Sequence, residues 1–300
     1  MKYKISKEQA EKLLRRATTA SLSVAIVLIL IKTWGYMESG SVAILGTLLD
    51  SVMDSLSSII IFAAVRFSMV PADDDHRFGH GKAEAIAGLI QAFVIGATSL
   101  LLIYKVIDKI INPMQISKPE LGISVIILSI TLTVALVLYQ QYVKRRTGSV
   151  AIEADAMHYS GDILLNLGVV FALVLGGTFD VVYADPFFGA LAACYLLYSA
   201  YQVFVTSTDV LMDREMSDED REKIKGIVKS HQRVMDIHEL RTRRSGLSIF
   251  IQFHMGLEVG ISLFDAHEIS DQVEEKIMKA YPNAEVFIHA DPIEVIKKND

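Results

Sequence analysis

The sequence predicts an α-helical membrane protein with six transmembrane helices, followed by a small α+β domain. Three observations lead to this prediction. Of the 300 residues, 52% are hydrophobic and the mean hydropathy is +0.38, which is rare for a soluble protein of this length. Charged residues are sparse between positions 17 and 206 and frequent afterwards, and the last third alternates between helical and strand periodicity. We therefore expect a transmembrane domain over residues 1–208 and a soluble C-terminal domain over residues 209–300.

Six stretches are long enough to cross a membrane, since a spanning helix needs about 20 mostly apolar residues. They cover residues 17–37, 41–66, 84–107, 121–143, 150–177 and 184–206. The first follows a basic segment and is too long for a signal peptide, so we interpret it as a transmembrane helix. Short polar connections at 38–40 and 176–178 predict two hairpins.

The distribution of Lys and Arg predicts the orientation of the spans. Basic residues precede the first span and occupy the second-to-third and fourth-to-fifth connections, whereas the first-to-second and fifth-to-sixth connections have none. The third-to-fourth connection is discordant, with Lys105, Lys109 and Lys118. The sum predicts a multi-pass protein of the inner or plasma membrane, surrounded by lipid, with both termini in the cytosol.

The C-terminal domain is predicted to have the order α-β-β-α-β. Ser217 is a plausible N-cap for a helix that ends near position 230. Residues 236–243 and 248–257 alternate as strands around a turn at 245–246. A second helix over 263–280 and a third strand over 284–290 complete a sheet with helices on one face.

Composition limits the chemistry of any metal site. Cys194 is the only cysteine, so a disulfide within the chain and a Cys-x-x-Cys site are both excluded. Any metal site must therefore use His and carboxylates. The net charge of −6 argues against a nucleic-acid partner.

Two pairs of ionisable residues interrupt the second and fifth spans. Asp50 and Asp54 are four residues apart, so they share one helical face, and His158 and Asp162 repeat this spacing. Because ionisable groups in a bilayer are costly, they need a function. If the two faces meet, three carboxylates and one imidazole form a four-ligand site suited to a tetrahedral dication. Charged ends of helices that reach toward the interface are the alternative, which two such pairs make less attractive.

Two further clusters lie outside the spans. Asp73, His76 and His80 follow the second span and could close on a metal ion around Gly79, although a solvated polar loop has the same composition. The C-terminal cluster could be either a metal site or ordinary surface and core residues. Its members are His238, His254, His267, His289 and Asp291. His289 and Asp291 share one face of a strand, because strand side chains alternate.

These residues lie in segments that resemble the cation diffusion facilitator family, in its bacterial YiiP-like zinc-transporter branch. The resemblance covers nearly the whole chain. The matching segments are Leu49-Asp-Ser-Val-Met-Asp54, Asp73-Asp-Asp-His-Arg-Phe-Gly-His-Gly-Lys-Ala-Glu84, Glu153-Ala-Asp-Ala-Met-His-Tyr-Ser-Gly-Asp162, Leu211-Met-Asp-Arg214, Leu240-Arg-Thr-Arg243 and His289-Ala-Asp-Pro292. Relatives often have Gln where this chain has Ala290, and the run of three aspartates leaves open which one serves the loop site.

The resemblance implies proton-coupled efflux of divalent cations, with Zn²⁺ first and Cd²⁺ or Fe²⁺ as competitors. It implies that the four membrane residues form the transport site and that the loop cluster forms a second site. It further implies a binuclear cytosolic site in the C-terminal domain, where Zn²⁺ has a structural or regulatory part, and a homodimer. Lys82 and Asp213 match positions that form a salt bridge between subunits in this family.

Two other functions deserve comparison. A membrane-anchored metal sensor would use the C-terminal cluster, but a pure anchor does not need paired ionisable groups in two spans. An intramembrane aspartyl protease needs two carboxylates from different spans and no histidine. The pairs here lie within single spans and include His158, so we expect metal coordination and no enzymatic activity.

Overall fold

The fold was taken from a computed structural model, which describes residues 5–39, 42–111, 120–179 and 183–293. Six long helices come first, and the tail domain, residues 213–293, follows them. The six helices are α1 (Lys7–Ser39), α2 (Val42–Ser68), α3 (Ala83–Ile111), α4 (Glu120–Thr147), α5 (Val150–Phe179) and α6 (Ala184–Leu211). Position 40 of the first predicted hairpin and Lys118 lie outside the described residues. The predicted boundary at 208/209 falls in the last turn of α6.

The membrane class is confirmed by these helices. α1, α2, α3, α4 and α6 are each long and apolar enough to cross a bilayer. α5 has 30 residues, a length of about 45 Å, which exceeds the hydrocarbon core. The predicted connection at 176–178 was placed a few residues too early, because α5 continues to Phe179 and α6 begins at Ala184. Two glycines weaken a helix, but backbone groups in a bilayer must stay hydrogen-bonded, which favours continuing it.

The six helices form two packed groups that meet along α5. α1 packs on α2 and α4, α3 packs mainly on α6, and α5 packs on both α4 and α6. α1 and α2 run antiparallel, since Ser21 lies beside Ser58 and Lys32 beside Ser51. α2 and α5 therefore face each other, as the predicted metal site requires.

The tail domain has the predicted order. It consists of α7 (Asp218–Lys229), β1 (Val234–Ser245), β2 (Ser248–Leu257), α8 (Leu263–Ala280) and β3 (Ala284–Pro292). β2 is the central strand, antiparallel to β1 and parallel to β3. Ser217 Oγ accepts a hydrogen bond from the Asp220 backbone N–H at 3.2 Å, as expected of an N-cap.

Both tail helices cover one face of the sheet. That face carries Ile249, Ile251 and Phe253, which pack in a single core with residues of α7 and α8. Since strand side chains alternate, the intervening residues, His254 among them, lie on the opposite face.

The tail domain contacts the loop between α2 and α3. The turn that joins β1 and β2 lies against Gly81, where an added Cβ would stand 2.3 Å from the carbonyl oxygen of Ser245. Lys82 Nζ also lies 2.9 Å from Asp213 Oδ1 within the chain. A bridge between two subunits by the same residues stays a prediction.

Candidate metal sites

The first candidate site lies between α2 and α5, at the two predicted residue pairs. His158 Nε2 lies 3.0 Å from Asp54 Oδ1 and 3.8 Å from Asp162 Oδ2. One ligand atom from each of the three residues falls within 4.8 Å of the others. The imidazole is buried, and both carboxylates are partly exposed. We call these three residues the cage.

The separations in the cage suit a small dication. Zinc bonds to nitrogen and oxygen of about 2.0–2.1 Å place neighbouring tetrahedral ligands about 3.3 Å apart. The two distances from His158 lie on either side of that value. Small side-chain rotations would therefore bring the three donors to one ion.

Asp50 stands outside the cage. It is exposed and lies one turn nearer the N-terminal end of α2 than Asp54. The spacing of four residues puts the two aspartates on one face, as predicted, but at different depths. Its part as a fourth ligand stays a prediction.

A buried polar layer next to the cage was not predicted. Asp155, which is fully buried, accepts hydrogen bonds from Ser21 Oγ of α1 at 2.6 Å and from Gln140 Nε2 of α4 at 2.7 Å. Ser21 also contacts Ser58 of α2, whose hydroxyl lies 2.9 Å from that of Tyr159. The layer thus ties four helices together directly below His158. Its sequence signal was a further acid in the fifth span, three residues before His158.

The second candidate site is in the loop between α2 and α3. Asp73 lies 3.2 Å from His76 Nδ1 and 3.3 Å from His80 Nε2. Gly79 turns the chain with a φ of +75°, a conformation that favours glycine. Asp73 is thus the aspartate that meets both histidines, whereas Asp74 is exposed and pairs with Arg77.

The electrostatics of this loop favour an ionised ligand. The backbone N–H of His76 donates to Asp73 Oδ1 at 2.6 Å, and this bond holds the pKa of the Asp73 carboxyl below its usual range. His80 is buried and its ring packs edge-on against Phe67. The loop therefore presents one carboxylate and two imidazoles, and the bond from the His76 backbone already holds the carboxylate in place.

The third candidate site is on the face of the tail sheet that α7 and α8 leave uncovered. His238, His254 and His289 are register neighbours on β1, β2 and β3. Asp291 lies 2.8 Å from His254 Nδ1, 3.1 Å from His289 Nε2 and 3.7 Å from His238 Nε2. One carboxylate thus stands among three imidazoles.

Two residues near this group depart from the prediction. His267 is exposed on α8, which covers the other face of the sheet, and its ring lies 3.6 Å from Asp271 instead. Its part in the tail site stays a prediction that would need a second chain. Glu239, which was not predicted, has a φ of +47° in an irregular part of β1, and its carboxylate lies 3.9 Å from His254 Nε2.

Comparisons with known proteins agree over nearly the whole chain. Residues 18–212 match the family model described as the cation efflux transmembrane domain, and residues 216–293 match that of the cation efflux protein, cytoplasmic domain. Cation-efflux pump FieF of Shewanella oneidensis is 43% identical over 280 residues, which are 93% of this chain and 94% of that protein. FieF of Escherichia coli strain K12/DH10B is 39% identical over 287 residues, with coverage of 96% and 95%.

Similarity to solved structures covers about a quarter of this chain. The metal-bound C-terminal domain of the CzcD transporter from Thermotoga maritima is 26% identical and covers 26% of this chain and 95% of that one, with a TM-score of 0.24.

Proposed function

This chain belongs to the cation diffusion facilitator family of cation-efflux transporters, and from that premise we propose that it exports Zn²⁺ from the cytosol in exchange for protons. Cd²⁺ and Fe²⁺ are competing cargoes of the same charge. The observation that carries the proposal is the convergence of Asp54, His158 and Asp162 from two helices. In a helical membrane protein, such groups mark an ion pathway.

Binding of the cation is coupled to protons through the ligands themselves. A metal ion requires a neutral imidazole and ionised carboxylates, so its entry displaces protons. With Asp50 included, the empty site has a charge of about −3 and the loaded site about −1, and a low dielectric disfavours the larger charge. Protons therefore bind to the ligands in place of the metal ion when the site is empty.

Transport follows from alternating access of this site to the two sides of the membrane. Zn²⁺ enters from the cytosol and leaves outside, and protons that enter from outside return the empty carrier. His158 carries one of them, since the ordinary pKa of histidine lies closest to physiological pH. The direction rests on the predicted cytosolic termini.

The imidazole also favours zinc among the divalent cations. Sites made only of oxygen suit Mg²⁺ and Mn²⁺, whereas nitrogen in a tetrahedral frame suits Zn²⁺. The cage contains two carboxylates and one imidazole, so its ligands are of the kind that suits Zn²⁺.

The tail and loop clusters serve regulation in this proposal. The three tail histidines and Asp291 bind cytosolic Zn²⁺ and stabilise a homodimer, which biases the carrier between its conformations. A variant without His254 and Asp291 that transports with an unchanged zinc dependence would contradict this role.

Asp54→Ala tests the transport site. We expect loss of zinc flux in proteoliposomes with an imposed pH gradient, while size-exclusion chromatography shows an intact protein. Asp185→Ala is the control, because this acid of α6 pairs with Lys109 rather than with the cage. Normal flux from Asp54→Ala would remove the assignment, and a flux that ignores the pH gradient would remove proton coupling.

A further inference from the structure

Lys32 is a buried lysine in a membrane helix, and neither the sequence patterns nor the cage explains it. It lies on α1 with only 8% of its surface exposed. A cation at this depth is costly and needs a compensating interaction. Both hydrogen bonds that the structure gives its ammonium go to neutral oxygens of α2, Ser51 Oγ at 2.6 Å and the Thr47 carbonyl at 3.1 Å.

These two bonds fix the ammonium beside the transport site. Ser51 follows Asp50 in the chain and precedes Asp54 by less than one turn. Because Ser51 and Asp54 are three residues apart on α2, they share one helical side, so the ammonium that Ser51 binds lies on the side of α2 that carries Asp54. Its two acceptors, Thr47 and Ser51, lie on either side of Asp50 in the chain, whereas Asp54 pairs directly with His158 at 3.0 Å.

We propose that Lys32 is the fixed counter-charge of the cage, which lowers its affinity for the dication so that the ion can leave. The inference rests on the proposed transport function. An ammonium cannot coordinate a metal ion, so it acts only through its charge and position. The ammonium stabilises the carboxylates when no metal ion is bound, and it repels the metal ion when that ion binds to them.

The magnitude follows from the low dielectric of the site. A unit charge and a dication interact strongly over several ångströms when the effective dielectric constant is about 20. Because Lys32 is held by α2, it cannot retreat to water when the ion binds. Removing its charge should therefore tighten binding by at least about tenfold, and a tighter site releases its ion more slowly.

The test compares Lys32→Met with Lys32→Arg in the full-length protein, with Zn²⁺ titrations by calorimetry and zinc flux in proteoliposomes. Zn²⁺ binding to the cage is identified as the part of the titration that the Asp54→Ala variant lacks. We expect Lys32→Met to lower the Kd of that part at least about tenfold and to reduce maximal flux, with Lys32→Arg close to the unchanged protein. Lys109→Met, which removes a lysine in the last turn of α3 that pairs with Asp185 of α6, should leave this Kd unchanged.

Ser51→Ala separates charge from anchoring, since it keeps the ammonium and removes one bond. If Ser51→Ala and Lys32→Met weaken binding alike, Lys32 is a structural anchor and the inference is overturned. An unchanged Kd in Lys32→Met, or an unchanged maximal flux beside a tighter Kd, also overturns it. If Lys32→Met does not fold, Lys32→Gln replaces it. None of these results affects the transport site itself, which stands or falls with Asp54→Ala.

Discussion

At the scale of single residues, His158 is the only nitrogen donor in the cage. His158→Asp would make the site all oxygen, a ligand set that suits Mn²⁺ better than Zn²⁺. We expect the variant to prefer Mn²⁺ over Zn²⁺ in parallel flux assays with each metal. An unchanged metal ranking in a variant that still transports would reject the role of the imidazole in selectivity.

Asp155 contributes to stability because its carboxylate accepts hydrogen bonds from a hydroxyl and from a side-chain amide. Asp155→Ala would leave Gln140 Nε2 without this acceptor, at a cost of about 1–3 kcal/mol, while Ser21 Oγ would keep its contact with Ser58. Asp155→Asn keeps an acceptor oxygen and should be milder. Thermal unfolding in detergent at one fixed scan rate measures the difference, with the exposed Asp74→Ala as control. Equal midpoints for Asp155→Ala and the unchanged protein would show that the layer does not contribute.

What the sequence predicts at this scale depends on whether the partners are local. Spacing within one helix identified the pairs that contain Asp54 and His158, because helical geometry fixes which side chains share a face. The partners of Lys32 and Asp155 lie on other helices, and the alignment of one helix against another cannot be derived from periodicity. Asp50 shows the same limit, since a shared face does not give a shared depth.

At the scale of elements, periodicity predicted all five elements of the tail domain, and the length of apolar stretches predicted six membrane helices close to their observed positions. The membrane helices extend further than predicted, for example from Lys7 in α1, because amphipathic turns continue beyond the hydrocarbon core. The error at 176–178 has a related cause. Glycine and threonine indicate a turn in water, whereas a bilayer favours an unbroken helix.

Gly81 tests the contact between two elements, the loop after α2 and the β1–β2 turn. A Cβ at this position would meet the Ser245 carbonyl carbon and oxygen at 2.5 Å and 2.3 Å, and backbone atoms cannot move aside as a flexible side chain can. We expect Gly81→Ala to detach the turn and to increase hydrogen exchange at residues 245–248. Gly226→Ala in α7 is the control, because nothing lies within 4 Å of its added Cβ and alanine favours a helix by about 1 kcal/mol. Unchanged exchange in Gly81→Ala would contradict the close contact.

At the scale of the whole molecule, the junction between the membrane helices and the tail domain could not be predicted from pattern. It depends on a left-handed residue, Asp213 with a φ of +56°, and on residues far apart in sequence. The Asp213 carboxylate forms ion pairs with both Lys82 and Arg243. The guanidinium of Arg243 also lies over the rings of Phe78 and Phe250, which belong to the loop and to β2. The junction thus joins the loop site and the tail sheet in one small cluster.

Mixed dimers can test whether Lys82 and Asp213 pair within one chain, since the two residues can be removed from different subunits of the proposed dimer. The structure forms the pair within one chain. Mixed dimers of a Lys82→Ala subunit and an Asp213→Ala subunit then lack both pairs, whereas a bridge between subunits would leave one intact. We expect mixed dimers, purified by two affinity tags, to show the same loss of protection at residues 245–248 as dimers of either variant alone. The loss should be modest, because a half-exposed pair contributes about 1 kcal/mol or less. Protection midway between that of the unchanged dimer and that of the single variants would instead place the pair between subunits.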